Sequence, residues 1–246
     1  MKKSILFIWI AILMISLSCE KKPTGPITQK PTFTIYGAVV KDLNISKDIA
    51  AFTVSRNDTI YNGATVKAGN KIIPNAGSGV YYQEFSDTTF HTMTAYIDSI
   101  ISSPDTVNIT FRFAMPDIFN VSINPADSVN EGGEAVNVFW TTSSSDSASG
   151  YFISVVKGDT ISGAMLYRAI VSGSQTPIPR DAFRKANGDV VSGLYWVYMA
   201  AYNKSFVSYP GMPFALPTGL PANNISGAKG TIGAGVIARK VTIRVP

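Results

Sequence analysis

Leu194-Tyr195-Trp196-Val197-Tyr198-Met199-Ala200-Ala201-Tyr202 is a run of aromatic and aliphatic residues typical of strands. In a strand, successive side chains point to opposite faces. Tyr195, Val197 and Met199 therefore share one face, and Trp196, Tyr198 and Tyr202 the other. The same parity places Tyr151, Ile153 and Val155 inward within Tyr151–Lys157 and turns Phe152 outward.

Short strands recur on either side of this stretch. Before it lie Thr32–Val40, Ala51–Arg56 and Thr59–Tyr61, the last two joined by Asn57-Asp58 as a hairpin turn. Val80–Phe85, Phe90–Ile101 and Thr106–Phe113 come next, and Met115-Pro116 closes the set. A second set comprises Ile118–Ile123, Val136–Thr141, Tyr151–Lys157, Ile161–Val171, Leu194–Tyr202 and Val236–Val245. Pro74–Gly79, the Ser-rich Thr142–Gly150 and the long Lys204–Gly235 read as loops; Asp181–Ala186 has room for a turn or two of helix. Val, Ile, Thr, Tyr and Phe in the strands, with Gly, Asn and Pro between them, indicate an all-β chain built as sandwiches.

The two sets share an order of motifs. Arg56-Asn57-Asp58-Thr59-Ile60 matches Lys157-Gly158-Asp159-Thr160-Ile161. Ile73-Pro74 matches Ile178-Pro179, and Ser78-Gly79-Val80-Tyr81-Tyr82 matches Ser192-Gly193-Leu194-Tyr195-Trp196. A widening offset between matches is what loop insertions after a tandem duplication produce. The expected organisation is one sandwich over residues 32–116 and a second over 117–246. The second resembles a fibronectin type III domain, within the wider immunoglobulin-like class. Val136-Asn137-Val138-Phe139-Trp140-Thr141 is similar to that family's second strand with its buried Trp, and Tyr195, Val197, Met199, Ala201 and Asn203 fall on its Tyr-x-Val-x-Val-x-Ala-x-Asn strand. The resemblance covers residues 118–203 and implies a scaffold or interaction module.

The N-terminus has the parts of a secretory leader: Lys2 and Lys3, an apolar run from Ile5 to Leu17, and small Ser18 before Cys19. As a helix this run reaches only about 20 Å, against a bilayer core of about 30 Å. Cys19 is the sole cysteine, so no disulfide forms within the chain. Ser16-Leu17-Ser18-Cys19 resembles the lipobox of bacterial lipoprotein precursors, with Ser16 where that family prefers Leu. The resemblance implies that residues 1–18 are removed and that Cys19 carries diacylglycerol and an amide-linked acyl chain such as palmitate. Glu20 after the cysteine implies the outer membrane. Ordinary signal-peptidase cleavage at the same bond is the alternative; it would leave an exposed thiol in an oxidising compartment. Residues 19–31 carry three prolines and read as an extended tether of up to roughly 40 Å.

Loss of Lys2 and Lys3 lowers the formal net charge from +5 to +3. The last acidic residue is Asp189, and Lys204, Lys229, Arg239, Lys240 and Arg244 come after it without one. They read either as a basic edge for anionic lipid or glycan, or as strand residues paired with acids of neighbouring strands. Sparse cations in an exported chain do not suggest nucleic acid.

Little of the sequence points to catalysis. His91 is the one histidine and sits in an alternating stretch; with Cys19 acylated, a zinc site lacks ligands. Asp146 among Ser143–Ser149 does not have calcium-loop spacing. Gly227-Ala228-Lys229-Gly230-Thr231 lacks the Gly-Lys-Ser/Thr element of a phosphate loop, and its glycines read as a loop entering a strand. No metal or other cofactor is expected. The sequence points to a non-enzymatic envelope lipoprotein, membrane-bound through its lipid, serving as a structural or interaction module for a protein or glycan partner. The competing expectation is carbohydrate binding on an exposed aromatic face of Phe152, Trp196, Tyr198 and Tyr202. The alternative at that face is that residues 204–235, or the first domain, cover it as part of a second core.

Overall fold

β1 (Phe33–Asp42) turns back through residues 43–46 onto β2 (Lys47–Arg56), pairing Asp42 with Lys47 and Phe33 with Arg56. In this computed structural model the described residues are 31–69, 71–86, 94–97, 109, 111–124, 135–141, 148–158 and 166–246. The leader, Cys19, most of the tether, His91 and Asp146 lie outside them. The chain divides into two compact units, Met1–Pro31 and Thr32–Pro246. The strands of the described residues all belong to the second. Asn57 and Asp58 have φ of 50° and 60°, the left-handed pair a tight hairpin turn requires. They lead into β3 (Thr59–Ile60), as the sequence indicates.

The first segment continues with β4 (Val66–Ala68), β5 (Lys71–Ile73), β6 (Asn75–Gly77), β7 (Val80–Ser86), β8 (Thr94–Ile97) and β9 (Phe111–Ala114). The second supplies β10 (Val121–Asn124), β11 (Val136–Trp140), β12 (Gly150–Lys157), β13 (Tyr167–Val171) and β14 (Gln175–Ile178). A 3₁₀ turn at Arg180–Phe183 precedes β15 (Gly193–Asn203), β16 (Lys229–Ile237) and β17 (Val241–Val245). The chain is all-β. Among the described residues, one ten-stranded sheet runs β13-β12-β15-β16-β1-β2-β7-β6, with β17 on β15 and β3 on β2. It passes through both segments, because β16 pairs in parallel with β1 from Thr34–Lys229 to Asp42–Ile237.

Two cores lie on one face of this sheet. Phe33, Ile35, Phe52, Val54 and Tyr81 centre the first; Ile153, Val155, Tyr195, Val197 and Ile243 contribute to the second. β16 serves both, giving Ile232 and Ala234 to the first and Val236 and Ala238 to the second. The second core is closed by the three-stranded sheet β10-β11-β14, which supplies Val136, Val138, Trp140 and Ile178. Three strands facing β13-β12-β15-β17 make an immunoglobulin-like sandwich over the second segment. Its corner is tied by the buried Tyr195, whose hydroxyl donates to Val191 O at 2.7 Å, four residues upstream. Tyr81, the residue the sequence matches to it, is also buried; its hydroxyl accepts from Ala64 N at 3.0 Å.

Two readings of the sequence are corrected. β14 contains Pro177, which hides it from a strand search. Its place at the edge of its sheet reconciles the two, since an edge strand tolerates a missing donor. The glycines from 230 to 235 are strand residues, and the stretch expected as a single strand over Val236–Val245 breaks at 238–240 between β16 and β17. A Cβ on Gly233 would overlap the Ser205 backbone, and one on Gly235 the Phe206 ring. These positions are bare because another segment presses on them.

Candidate functional site

The opposite face of the sheet carries Phe152, Tyr198 and Tyr202, on the side that strand parity assigns to them, on the neighbouring strands β12 and β15. It is not an open face. Residues 204–228 cross it as a strap whose Phe206, Tyr209 and Phe214 insert against the sheet, with Met212, Leu216 and Leu220 packed around them. Phe152 meets Phe206 edge-on at 5.1 Å between centroids, and Tyr198 lies 4.9 Å from Phe214. Phe152, Tyr198 and Tyr202 are 0%, 3% and 5% exposed. The aromatic face is thus a third core, covered from within residues 204–235 and not open for binding. Parity reveals which side a residue faces and not what covers that side.

Trp196, the remaining member, is half-buried at the margin of this core. The Lys240 ammonium sits 4.0 Å from its ring centroid, and Gly158 approaches the ring so closely that a Cβ there would lie 3.2 Å from it. A flat ring already occupied by a cation and a backbone has little area left for stacking a sugar. All five C-terminal cations are exposed, and none forms an ion pair with a described residue. Among the described residues these cations show no pairing with acids of neighbouring strands.

Charges buried within the sheet do have partners. Lys41 Nζ meets Asp48 Oδ1 at 2.6 Å, the side chains 3% and 0% exposed. Asp42 is also buried; its Oδ2 accepts from Tyr209 Oη at 2.9 Å, and its Oδ1 from Asn44 N at 2.8 Å and Asn44 Nδ2 at 3.0 Å. Burial pushes the Tyr209 hydroxyl above its ordinary range, and the Asp42 carboxylate pushes it further. Tyr198 is raised by burial and then by Asp42, Tyr202 by burial. Of the three, Tyr209 is the one seen to donate, to Asp42. The Asp42–Tyr209 bond spans 167 residues, which no local signal announces. The Lys41–Asp48 pair was available from the hairpin register once its turn is placed at residues 43–46.

Cys19 lies outside the described residues. Among the described residues no three His, Cys, Asp or Glu side chains gather as a metal site would require, and no helix is long and apolar enough to cross a membrane. The folded unit holds charges and rings in place for packing. Its open chemistry lies in the C-terminal surface cations and in exposed apolar residues, including Tyr36 and Ile118.

No protein-family model matches the chain, and no curated protein matches it. Among solved structures, the FN1–FN3 domains of chicken CNTN1 align over 85% of this chain and 67% of that one, at 14% identity and a TM-score of 0.29. The fold assignment rests on the strand pairing and the tyrosine corner.

Proposed function

We propose that this protein is a non-enzymatic lipoprotein of the cell envelope, anchored through Cys19 to the outer membrane, and that its folded unit is a structural or interaction module for a protein or polysaccharide partner. The observation that carries this reading is the continuity of the sheet. One set of hydrogen-bonded strands runs through both segments, and cores on its two faces hold them as a single body. A stiff body behind a Pro-rich tether suits a module that presents a surface away from its anchor. The leader and the lipobox-like Ser16–Cys19 support the anchoring.

Expression in a lipoprotein-processing bacterium with labelled palmitate tests the anchor. Wild type incorporates label and sediments with outer membranes, whereas Cys19→Ala does neither. Label in the variant, or none in wild type, overturns it. Interaction is tested by co-sedimentation of the unlipidated full chain with purified envelope polysaccharide and by cross-linking in cells. Turnover in a hydrolase screen, lost on removal of one carboxylate, would displace the whole reading. The glycan-binding alternative on Phe152, Trp196, Tyr198 and Tyr202 would need the strap to leave the sheet.

A further inference from the structure

Three parts of the chain distant in sequence meet at one end of β1: the β1–β2 turn, the residues leading into β10, and the bend between β16 and β17. Between them opens a half-enclosed cavity of about 500 Å³, within the size range of small-molecule sites. Leu43, Ile118, Phe119, Val121 and Val241 give it apolar walls. Ile118 remains 52% exposed, a large aliphatic residue left beside an apolar recess. Asn120, Arg239 and Lys240 also line it, and among the described residues the lining holds no acid.

The cationic side is fixed in place. Asn44 Nδ2 donates to Ala238 O at 3.0 Å, and Asn44 Oδ1 accepts from Lys240 N at 2.7 Å, so one amide clamps the bend on both sides of Arg239. Lys240 extends its ammonium to Trp196. Arg239 is exposed and forms no ion pair with a described residue. The nearby carboxylate of Asp42 has both oxygens engaged, by Asn44 and Tyr209.

An apolar recess beside a guanidinium with no ion-pair partner among the described residues selects a ligand with one apolar chain and one anionic end. The geometry points to a binding site for a medium-chain fatty carboxylate, its chain against Phe119, Val121 and Val241 and its carboxylate forked by Arg239. Guanidinium is the side chain that matches a carboxylate with two parallel hydrogen bonds. Each methylene removed from water contributes roughly fourfold in affinity, so binding strengthens with chain length until the cavity is full. This site does not depend on the proposed anchoring.

The test uses the full chain with Cys19→Ser, which needs no detergent. Laurate, dodecanol and dodecyltrimethylammonium are titrated below their micellar concentrations and monitored by calorimetry and amide chemical shifts. Laurate is expected to bind one-to-one, at least tenfold tighter than the cation, shifting amides at 118–121 and 239–241. Arg239→Glu, a surface change, should cost laurate at least tenfold and reverse the preference. Ile118→Asp should weaken laurate with Arg239 intact. Equal binding of all three amphiphiles, shifts elsewhere on the sheet, no saturable binding, or an Arg239→Glu variant that binds laurate as wild type does would each overturn the assignment.

Discussion

Lys41 and Asp48 sit opposite one another in the β1–β2 hairpin, shut away from water. Removing one partner leaves the other charge buried, so Lys41→Met alone should cost about 3–5 kcal/mol in urea unfolding. Lys41→Met with Asp48→Leu should recover most of that, because the two desolvation penalties vanish together. A double variant no better than the single would mean that the pair's other contacts matter more than its charge. Tyr209 invites a different experiment. Its folded pKa lies above the unfolded value near 10. Its stabilising contribution is therefore complete below pH 10 and is lost as pH rises beyond, since the unfolded chain gives up the proton first. Tyr198 and Tyr202 shift the same way. Tm should hold level up to about pH 10 and then fall, with phenolate absorbance appearing together with the loss of structure. Tyr209→Phe should flatten that fall by up to about 1.4 kcal/mol per pH unit, while costing about 1–3 kcal/mol at neutral pH by stranding Asp42 Oδ2. Tyr82 adds little to this slope. It is half-exposed, and burial together with its 2.8 Å bond to Glu84 pushes it up to about 12.

The strap and β16 are one device at the scale of elements: a glycine-rich strand thin enough for residues 205–206 to lie on. Gly235→Val should push Phe206 off the sheet and open the third core, read as new binding of a hydrophobic dye. Phe214→Ala should cost about 3–5 kcal/mol. Trp196 reports on the same region once it stands alone. Trp140→Phe in a chain lacking residues 1–18 is a tolerable way to isolate it, because Trp140 Nε1 is buried with no hydrogen-bond partner among the described residues to lose. Its emission should be intermediate and partly quenched by acrylamide, and Gly235→Val should red-shift it; full exposure in the parent would contradict the covering. Much of this was legible in the sequence and some was not, for identifiable reasons. The 57–58 turn and the parity of β12 and β15 come from local pattern, and Trp140 as a core residue from the resemblance to a fibronectin type III strand. β16 does not, because glycine carries no side chain to show a period. The aromatic residues at 206, 209 and 214 are visible, but their docking on β12 and β15 depends on contacts that composition does not encode.

At the scale of the molecule, β1 gains its second neighbour from residues near the end of the chain, and the first core gains Ile232 and Ala234 from the same strand. Residues 32–116 expressed alone should therefore fail to fold, with β1 as an unpaired apolar edge. Deleting 229–246 should unfold both cores, so that proteolysis cuts within β1 and β2 as readily as within β12. A protected 32–116 fragment would show that the first core stands without β16. Contacts spanning so much of the chain also predict slow folding. The β1–β16 ladder has a mechanical side as well. A pull on Thr32 is transmitted straight into β1, which is hydrogen-bonded along nearly its whole length to β2 on one side and β16 on the other. Load applied along such ladders is shared by many bonds at once instead of peeling them in turn. With the anchoring and partner proposed above, a tug of war between the two would stretch residues 19–31 long before it drew the first strand out of the sheet.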